Sequence, residues 1–185
     1  MHDIGRLPTG WRPLVTNGDP ANTTWQVVED ATAPGGSVCL ALLRNASGRS
    51  QCNLCVSPSS APADVEVSAY CQGDDGVGVV WRCQDAGHYY VCRVNPMEGN
   101  FGLFKVVGGR RTRLADARLG RFEDNRWYEI RAAMRGAQIT CSLDGKPLIE
   151  SADRSIVEAG GVGVWTRADA LGRFAGFAAR ATANY

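Results

Sequence analysis

The sequence predicts an all-β protein, a two-sheet antiparallel jelly-roll sandwich. Three observations predict it. Helical periodicity is almost absent, while short alternating runs rich in Val, Ile, Tyr, Phe and Trp recur along the chain. Gly, Asp, Asn and Pro separate the runs, which is turn chemistry. With 185 residues, 44% hydrophobic and 21% charged, the chain is long enough to bury a core between two sheets as a single domain.

Residues 1–20 are rich in Pro and Gly and read as an extended surface segment. Strands follow at 25–29, 37–43, 49–56 and 64–70. The central set is 77–83, 89–94, 101–107 and 110–115. The last set is 127–135, 138–143, 146–151, 161–166 and 174–182. Gly108-Gly109 and Asp144-Gly145 tolerate positive φ and predict two-residue hairpins on either side of them. Residues 84–88 read as a longer hairpin loop. Only 153–159 looks helical, as one turn capped by Asp153.

Net charge is +1, from 20 basic and 19 acidic residues, which argues against a nucleic-acid partner. The one basic cluster, Arg110-Arg111-Thr112-Arg113, reads as a solvated hairpin arm. No apolar run reaches the roughly 20 residues of a membrane helix. With a leader removed before Met1 the chain is secreted or periplasmic; without one it is cytoplasmic.

The seven cysteines show no disulfide framework. Cys71 and Cys141 lie on alternating runs and behave as small core residues. Cys52 and Cys55 form a lone CxxC whose members point to opposite faces of a strand, and no second pair completes a zinc site. No cofactor is expected. Calcium has one weak candidate, Asp74-Asp75 in a Gly-flanked loop.

Strand parity picks out a binding face. Val77, Val79 and Trp81 share one side of their strand, with Gly78, Val80 and Arg82 on the other. Tyr89, Val91 and Arg93 likewise oppose Tyr90, Cys92 and Val94. Arg82, Tyr89 and Arg93 are expected together on an exposed face, joined by Asn95 and Lys105. Trp165, flanked by Gly161 and Gly163 on its own side of the strand, which leave the ring uncovered, is expected to serve as a stacking platform. Donors that fork onto oxygens, beside an aromatic ring, suit hydroxyl-rich or carboxylated ligands. On this reading Arg93→Ala weakens ligand binding and leaves the melting temperature nearly unchanged.

The ordered segments LPTGW (7–11), WQVVED (25–30) and GVGVVWRCQDAGHYYVCRVNP (76–96) carry a family resemblance. So do GLFKVVGGRRTRLA (102–115), RWYEIRAAMRGAQITCSLDGKPLI (126–149) and DRSIVEAGGVGVWTRADALGRFAGF (153–177). Together they resemble the concanavalin A-like lectin/glucanase superfamily. They are most similar to its laminin-G-like and 3-keto-disaccharide hydrolase (family-16-glycoside-hydrolase-like) group. The resemblance implies a concanavalin A-like jelly roll. The Glu-x-Asp-x-x-Glu strand of family-16 glucanases is absent, and Glu29-Asp30 and Glu123-Asp124 have the wrong spacing for it. The calcium-associated Phe-Asp-Asp-Phe-like strand of relatives reads Phe174-Ala175-Gly176-Phe177 here. The first functional reading is therefore a non-catalytic carbohydrate- or partner-binding module. The alternatives are a hydrolase of the 3-keto-disaccharide type, with Glu98 and Asp85 as the carboxylates to watch, and a structural accessory subunit of a larger assembly.

Overall fold

The computed structural model describes residues 3–120, 123 and 125–182, without the side chains of Pro58 and Ser60. Two seven-stranded antiparallel sheets pack face to face. Sheet 1 is built from β1 (Arg12–Thr16), β4 (Cys52–Ala61), β6 (Val77–Asp85), β7 (His88–Asn95), β8 (Asn100–Val107), β9 (Arg110–Arg118) and β13 (Gly160–Arg167), in the spatial order β1-β4-β13-β6-β7-β8-β9. Sheet 2 holds β2 (Thr23–Glu29), β3 (Val38–Asn45), β5 (Val65–Gly73), β10 (Tyr128–Arg135), β11 (Gln138–Leu143), β12 (Lys146–Ala152) and β14 (Gly172–Ala181). Their order is β12-β11-β10-β5-β14-β3-β2. This is the jelly-roll sandwich expected from the alternation, and its only helix among the described residues is one 3-10 turn at Pro20–Asn22.

Two expectations change. The segment before residue 20 contributes β1, an edge strand paired to β4. An edge tolerates Pro13, which cannot donate to a ladder, so the Pro-rich composition hid the strand. Residues 153–159 form no helix. Asp153 instead accepts from the Ser155 amide at 2.8 Å and from Lys105 and Tyr90, which ties this loop to sheet 1. The two predicted two-residue turns hold, and the longer loop expected at 84–88 is itself a two-residue turn, because Asp85 pairs with His88. Gly108 and Gly109 have φ of 57° and 73°, and Asp144 and Gly145 have 50° and 77°. Both pairs close two-residue hairpins.

The main core lies between the sheets. From sheet 1 it takes Val77, Val79, Trp81, Tyr90, Cys92, Val94 and Leu103, and from sheet 2 Val67, Cys71, Ile130, Met134 and Cys141. All seven cysteines are buried and free. Cys55 faces this core and Cys52 the opposite side, as period-two alternation requires.

The outer face of sheet 1 carries a second buried cluster: Leu54, Val80, Tyr89, Val91, Phe104, Val106 and Trp165. Sheet curvature buries it. Strands at opposite ends of the sheet order touch, because Asn17 Nδ2, just past β1, donates to Gly109 O in the β8–β9 turn at 2.9 Å. Sheet 2 occupies the inner side, so this curl closes toward the outer side and makes it concave.

Candidate functional site

The floor of the concave face is set by the registers. Tyr89 pairs with Val106 and Val91 with Phe104 across β7–β8; Val106 pairs with Arg111 and Phe104 with Arg113 across β8–β9. Arg111 and Arg113 therefore point to the same side as Arg93. The strand neighbours of Arg93 on that side are Gly78 and Gly102. Neither carries a side chain, so the long arginine lies down on the sheet. The Phe104 ring fills the space beside it, and a β-carbon on Gly102 would sit 2.7 Å from that ring.

Three guanidiniums gather on this ring. Arg93 lies 5.0 Å from the Phe104 centroid, Arg111 4.9 Å and Arg113 5.8 Å, and Arg111 also lies 5.6 Å from the Trp165 ring. Stacking on an aromatic face suits guanidinium, whose N–H edge stays free to bond in its own plane. Arg93 is 1% exposed. Its Nη1 donates to Asn100 Oδ1 at 2.5 Å and its Nη2 to Glu98 Oε2 at 3.0 Å. Arg167 donates to the other Glu98 oxygen. Asn100 Nδ2 adds a third donor at 3.2 Å.

Asn95 builds the loop that presents Glu98. Its Oδ1 accepts from the Glu98 amide at 3.0 Å, and its Nδ2 donates to Asp75 Oδ1 at 2.6 Å. Burial pushes the Glu98 carboxyl up, but Arg167, Arg93 and Asn100 outweigh that and hold it down at about 2. Burial pulls the Arg93 guanidinium below its ordinary value, and Glu98 opposes the shift. Glu98 is thus an acceptor fixed in its ionised form. Two buried donors of the same group stay unused: Arg93 Nε and Arg111 Nη1 meet no hydrogen-bond partner among the described residues.

The six residues expected from the sequence divide three ways. Arg93 and Asn95 belong to this constellation, although both are buried rather than exposed. Tyr89 and Trp165, each 0% exposed, lie beneath it. Trp165 Nε1 donates to the Tyr89 hydroxyl at 3.2 Å, that hydroxyl lies 2.8 Å from Thr16 Oγ1, and Thr16 donates to Ala86 O at 2.6 Å. Thr16 has one proton and uses it on Ala86, so Tyr89 donates to Thr16. Burial pushes the Tyr89 phenol far above its usual range. Trp165 is therefore no open stacking platform, because Arg111 covers it.

Arg82 and Lys105 leave the face altogether. The β6–β7 register shifts after Trp81, and Arg82 takes φ of 46° there. This bulge redirects its side chain. Its three nitrogens donate to Ala63 O, Ile156 O and Gly136 O at 2.8, 2.8 and 2.9 Å. Lys105 pairs with Tyr90, which puts it on the core side at the rim, and it donates to Asp153 Oδ2 and Ser155 Oγ at 2.7 Å.

Sequence reasoning missed Asn100, Arg111, Arg113 and Arg167. The signal for two of them was present. Alternation on 110–115, paired against 101–107, already puts Arg111 and Arg113 on the side of Arg93; Arg110 and Arg113 are exposed, as a solvated arm implies, and Arg111 is partly buried. Asp75 is engaged by Asn95 and by the Gly76 amide at 2.7 Å. Asp85 bonds His88 at 2.9 Å. It ends β6 opposite His88, the first residue of β7, and Glu98 lies beyond the far end of β7, roughly 23 Å away at about 3.3 Å per residue, so these two carboxylates do not converge on one bond.

No family model matches the chain, and no curated protein matches it. Solved structures do. The carbohydrate-binding module CBM66 from Bacillus subtilis is 19% identical, with a TM-score of 0.72 over 98% of this chain and 99% of that one. The cellulose-induced protein Cip1 is 14% identical, with a TM-score of 0.65 over 96% and 94%. The exoplasmic/lumenal domain of VIP36, in its Ca2+/Man3GlcNAc-bound form, is 10% identical, with a TM-score of 0.61 over 94% and 89%. At such identities the likeness is one of fold, the two-sheet jelly-roll sandwich described above.

Proposed function

We propose that this chain is a non-catalytic carbohydrate-binding module whose ligand sits on the concave face of sheet 1, against Arg93, Glu98, Asn100, Arg111, Arg113 and Arg167. One observation carries the reading: two buried guanidinium N–H groups without acceptors, side by side on an aromatic floor. A buried donor left unpaired costs about 1–3 kcal/mol, more when it is charged. Both atoms are closed off from solvent, so a ligand recovers that cost by displacing the groups that cover them, entering at Arg111, which is only partly buried. The fold agreement with a carbohydrate-binding module along nearly its whole length supports the same reading. So does the state of Glu98. A carboxylate fixed in its ionised form by two arginines is suited to hold a site open and unsuited to give up a proton, which favours binding over the 3-keto-disaccharide hydrolase alternative.

The test is a glycan-array screen of the intact chain, repeated with Glu98→Gln on every hit. Gln keeps the shape but removes the charge that holds Arg93 and Arg167. The affinity is expected to fall at least tenfold while the circular dichroism spectrum stays that of a β-sandwich. Unchanged binding by Glu98→Gln would place the ligand elsewhere on the molecule.

A further inference from the structure

We infer that the ligand of this face is an acidic glycan, held through a sugar carboxylate by Arg111 together with Arg93; the inference rests on the carbohydrate-binding reading above. The first argument is the balance of charge. Arg93, Arg111, Arg113 and Arg167 meet three carboxylates. Glu98 is shared between Arg93 and Arg167, Asp116 lies 3.7 Å from Arg113, and Asp75 lies 3.9 Å from Arg167. Arg111 has no ion-pair partner among the described residues. Its neighbours are the faces of Phe104 and Trp165. A cation drawn onto a partly buried aromatic floor with no counter-ion leaves a place for one.

The second argument is the balance of donors and acceptors. A neutral sugar hydroxyl both gives and accepts a hydrogen bond, so a site for neutral sugars offers both roles. Here donors outnumber acceptors, because four guanidiniums with five N–H groups each face three carboxylates and the Asn100 amide oxygen. Glu98 Oε2 receives Arg93 and Asn100, Glu98 Oε1 receives Arg167, Asn100 Oδ1 receives Arg93, and Asp75 Oδ1 receives Asn95 and the Gly76 amide. Two of those donors, Arg93 Nε and Arg111 Nη1, meet no hydrogen-bond partner among the described residues. A carboxylate accepts at every lone pair and gives nothing, which matches a site with donors to spare. Its planar pair of oxygens also fits the in-plane edge of a guanidinium stacked on a ring.

The experiment uses the full chain and matched pairs of probes: uronate-containing oligosaccharides and the same oligosaccharides with their carboxyl groups reduced to primary alcohols, with a sulfated neutral oligosaccharide as a third arm. Binding is expected to the acidic member of a pair. Carboxyl reduction is expected to weaken it by roughly 10- to 150-fold, the range of a charge-assisted hydrogen bond. Arg111→Gln is expected to produce a loss of the same order, with Arg111→Lys intermediate because it restores charge without the fork. Both variants should keep the wild-type melting transition to within a few degrees. Equal binding of the reduced and acidic probes, or preference for the sulfated one, overturns the carboxylate inference and leaves the carbohydrate reading standing. Binding by none of the probes, nor by any glycan on the array, overturns the carbohydrate reading itself.

Discussion

The two faces of sheet 1 are almost equally buried, yet they are built on different terms. The inner face meets sheet 2 and is largely apolar, with the Tyr90 hydroxyl and Lys105 bonded to Asp153 at its rim. Its main polar group, Trp81 Nε1, lies 3.3 Å from Met134 Sδ, and the Trp81 ring stacks on Tyr90 at 5.7 Å. The outer face has no second sheet to meet. It buries Trp165, Tyr89 and Phe104 by curling and by laying arginines over them, and it leaves N–H groups unpaired. Burial by a partner sheet leaves one neutral donor without a partner among the described residues, Trp25 Nε1, whereas burial by curvature leaves an edge where charged groups lie against apolar floor. That edge is where a ligand completes the structure.

The comparison is tested most severely by the two buried tryptophans. Trp81→Ala and Trp165→Ala should each cost about 3–5 kcal/mol in denaturant unfolding, because both leave a large cavity in a packed layer. The faces separate in the milder pair. Trp165→Phe removes the donor to Tyr89 and part of the platform for Arg111, so it should weaken glycan binding. Trp81→Phe should not. A Trp165→Ala chain as stable as the wild type would show that the outer cluster is no packed layer.

Arg93 comes next. Parity from the sequence put it on an exposed face, where truncation leaves the melting temperature alone. The structure reverses that. Arg93→Ala removes a buried guanidinium and leaves Glu98 with Arg167 and Asn100 only, so it should destabilise by about 1–3 kcal/mol as well as abolish binding. Thermal melting separates the two expectations. The error is instructive. Alternation fixes which side of a strand a residue faces, and every assignment on β6 and β7 up to Trp81 is correct. It does not fix whether that side meets water. That depends on the curl of seven strands, seen here in the Asn17–Gly109 contact between segments 92 positions apart. The bulge at Arg82 was equally invisible, because nothing in the residue type marks a non-glycine φ of 46°. The strands, the turns and the opposed cysteines were legible because each is decided by neighbours in sequence.

Acid should act on the outer face and the rim. Glu98 is depressed from 4.5 to about 2, and Asp153 also lies below its ordinary 3.8 because Lys105, Tyr90 and Ser155 outweigh the effect of burial. A carboxylate depressed in the folded state stabilises the fold fully above its unfolded value, and that stabilisation is lost as the pH falls through the folded one. The melting temperature should therefore hold down to about pH 5 and fall steadily toward pH 2. Glu98→Gln should lower the plateau slightly and flatten part of that fall. A slope unchanged by the substitution would mean that the Glu98 arginine pairs contribute nothing to folding.

The smallest effect concerns the curl itself, and it isolates the Asn17–Gly109 contact from ordinary turn strain. Gly108 and Gly109 both sit at positive φ, so alanine at either carries a left-handed strain of about 1 kcal/mol. They differ in surroundings. A β-carbon on Gly108 meets nothing within 4 Å, whereas one on Gly109 lies 2.5 Å from Asn17 Oδ1. Gly109→Ala must displace the Asn17 amide and with it the hydrogen bond that bridges β1 to the β8–β9 turn. Gly108→Ala should thus cost about 1 kcal/mol and leave glycan binding unchanged. Gly109→Ala should cost up to about twice that, adding one lost hydrogen bond, and should loosen the concave face enough to lower affinity a few-fold. Denaturant unfolding and titration of both variants with the same glycan measure the difference. Equal behaviour of the two would mean that the curl of sheet 1 is held by its buried aromatic layer alone, and that the Asn17 bridge follows from the closure without enforcing it.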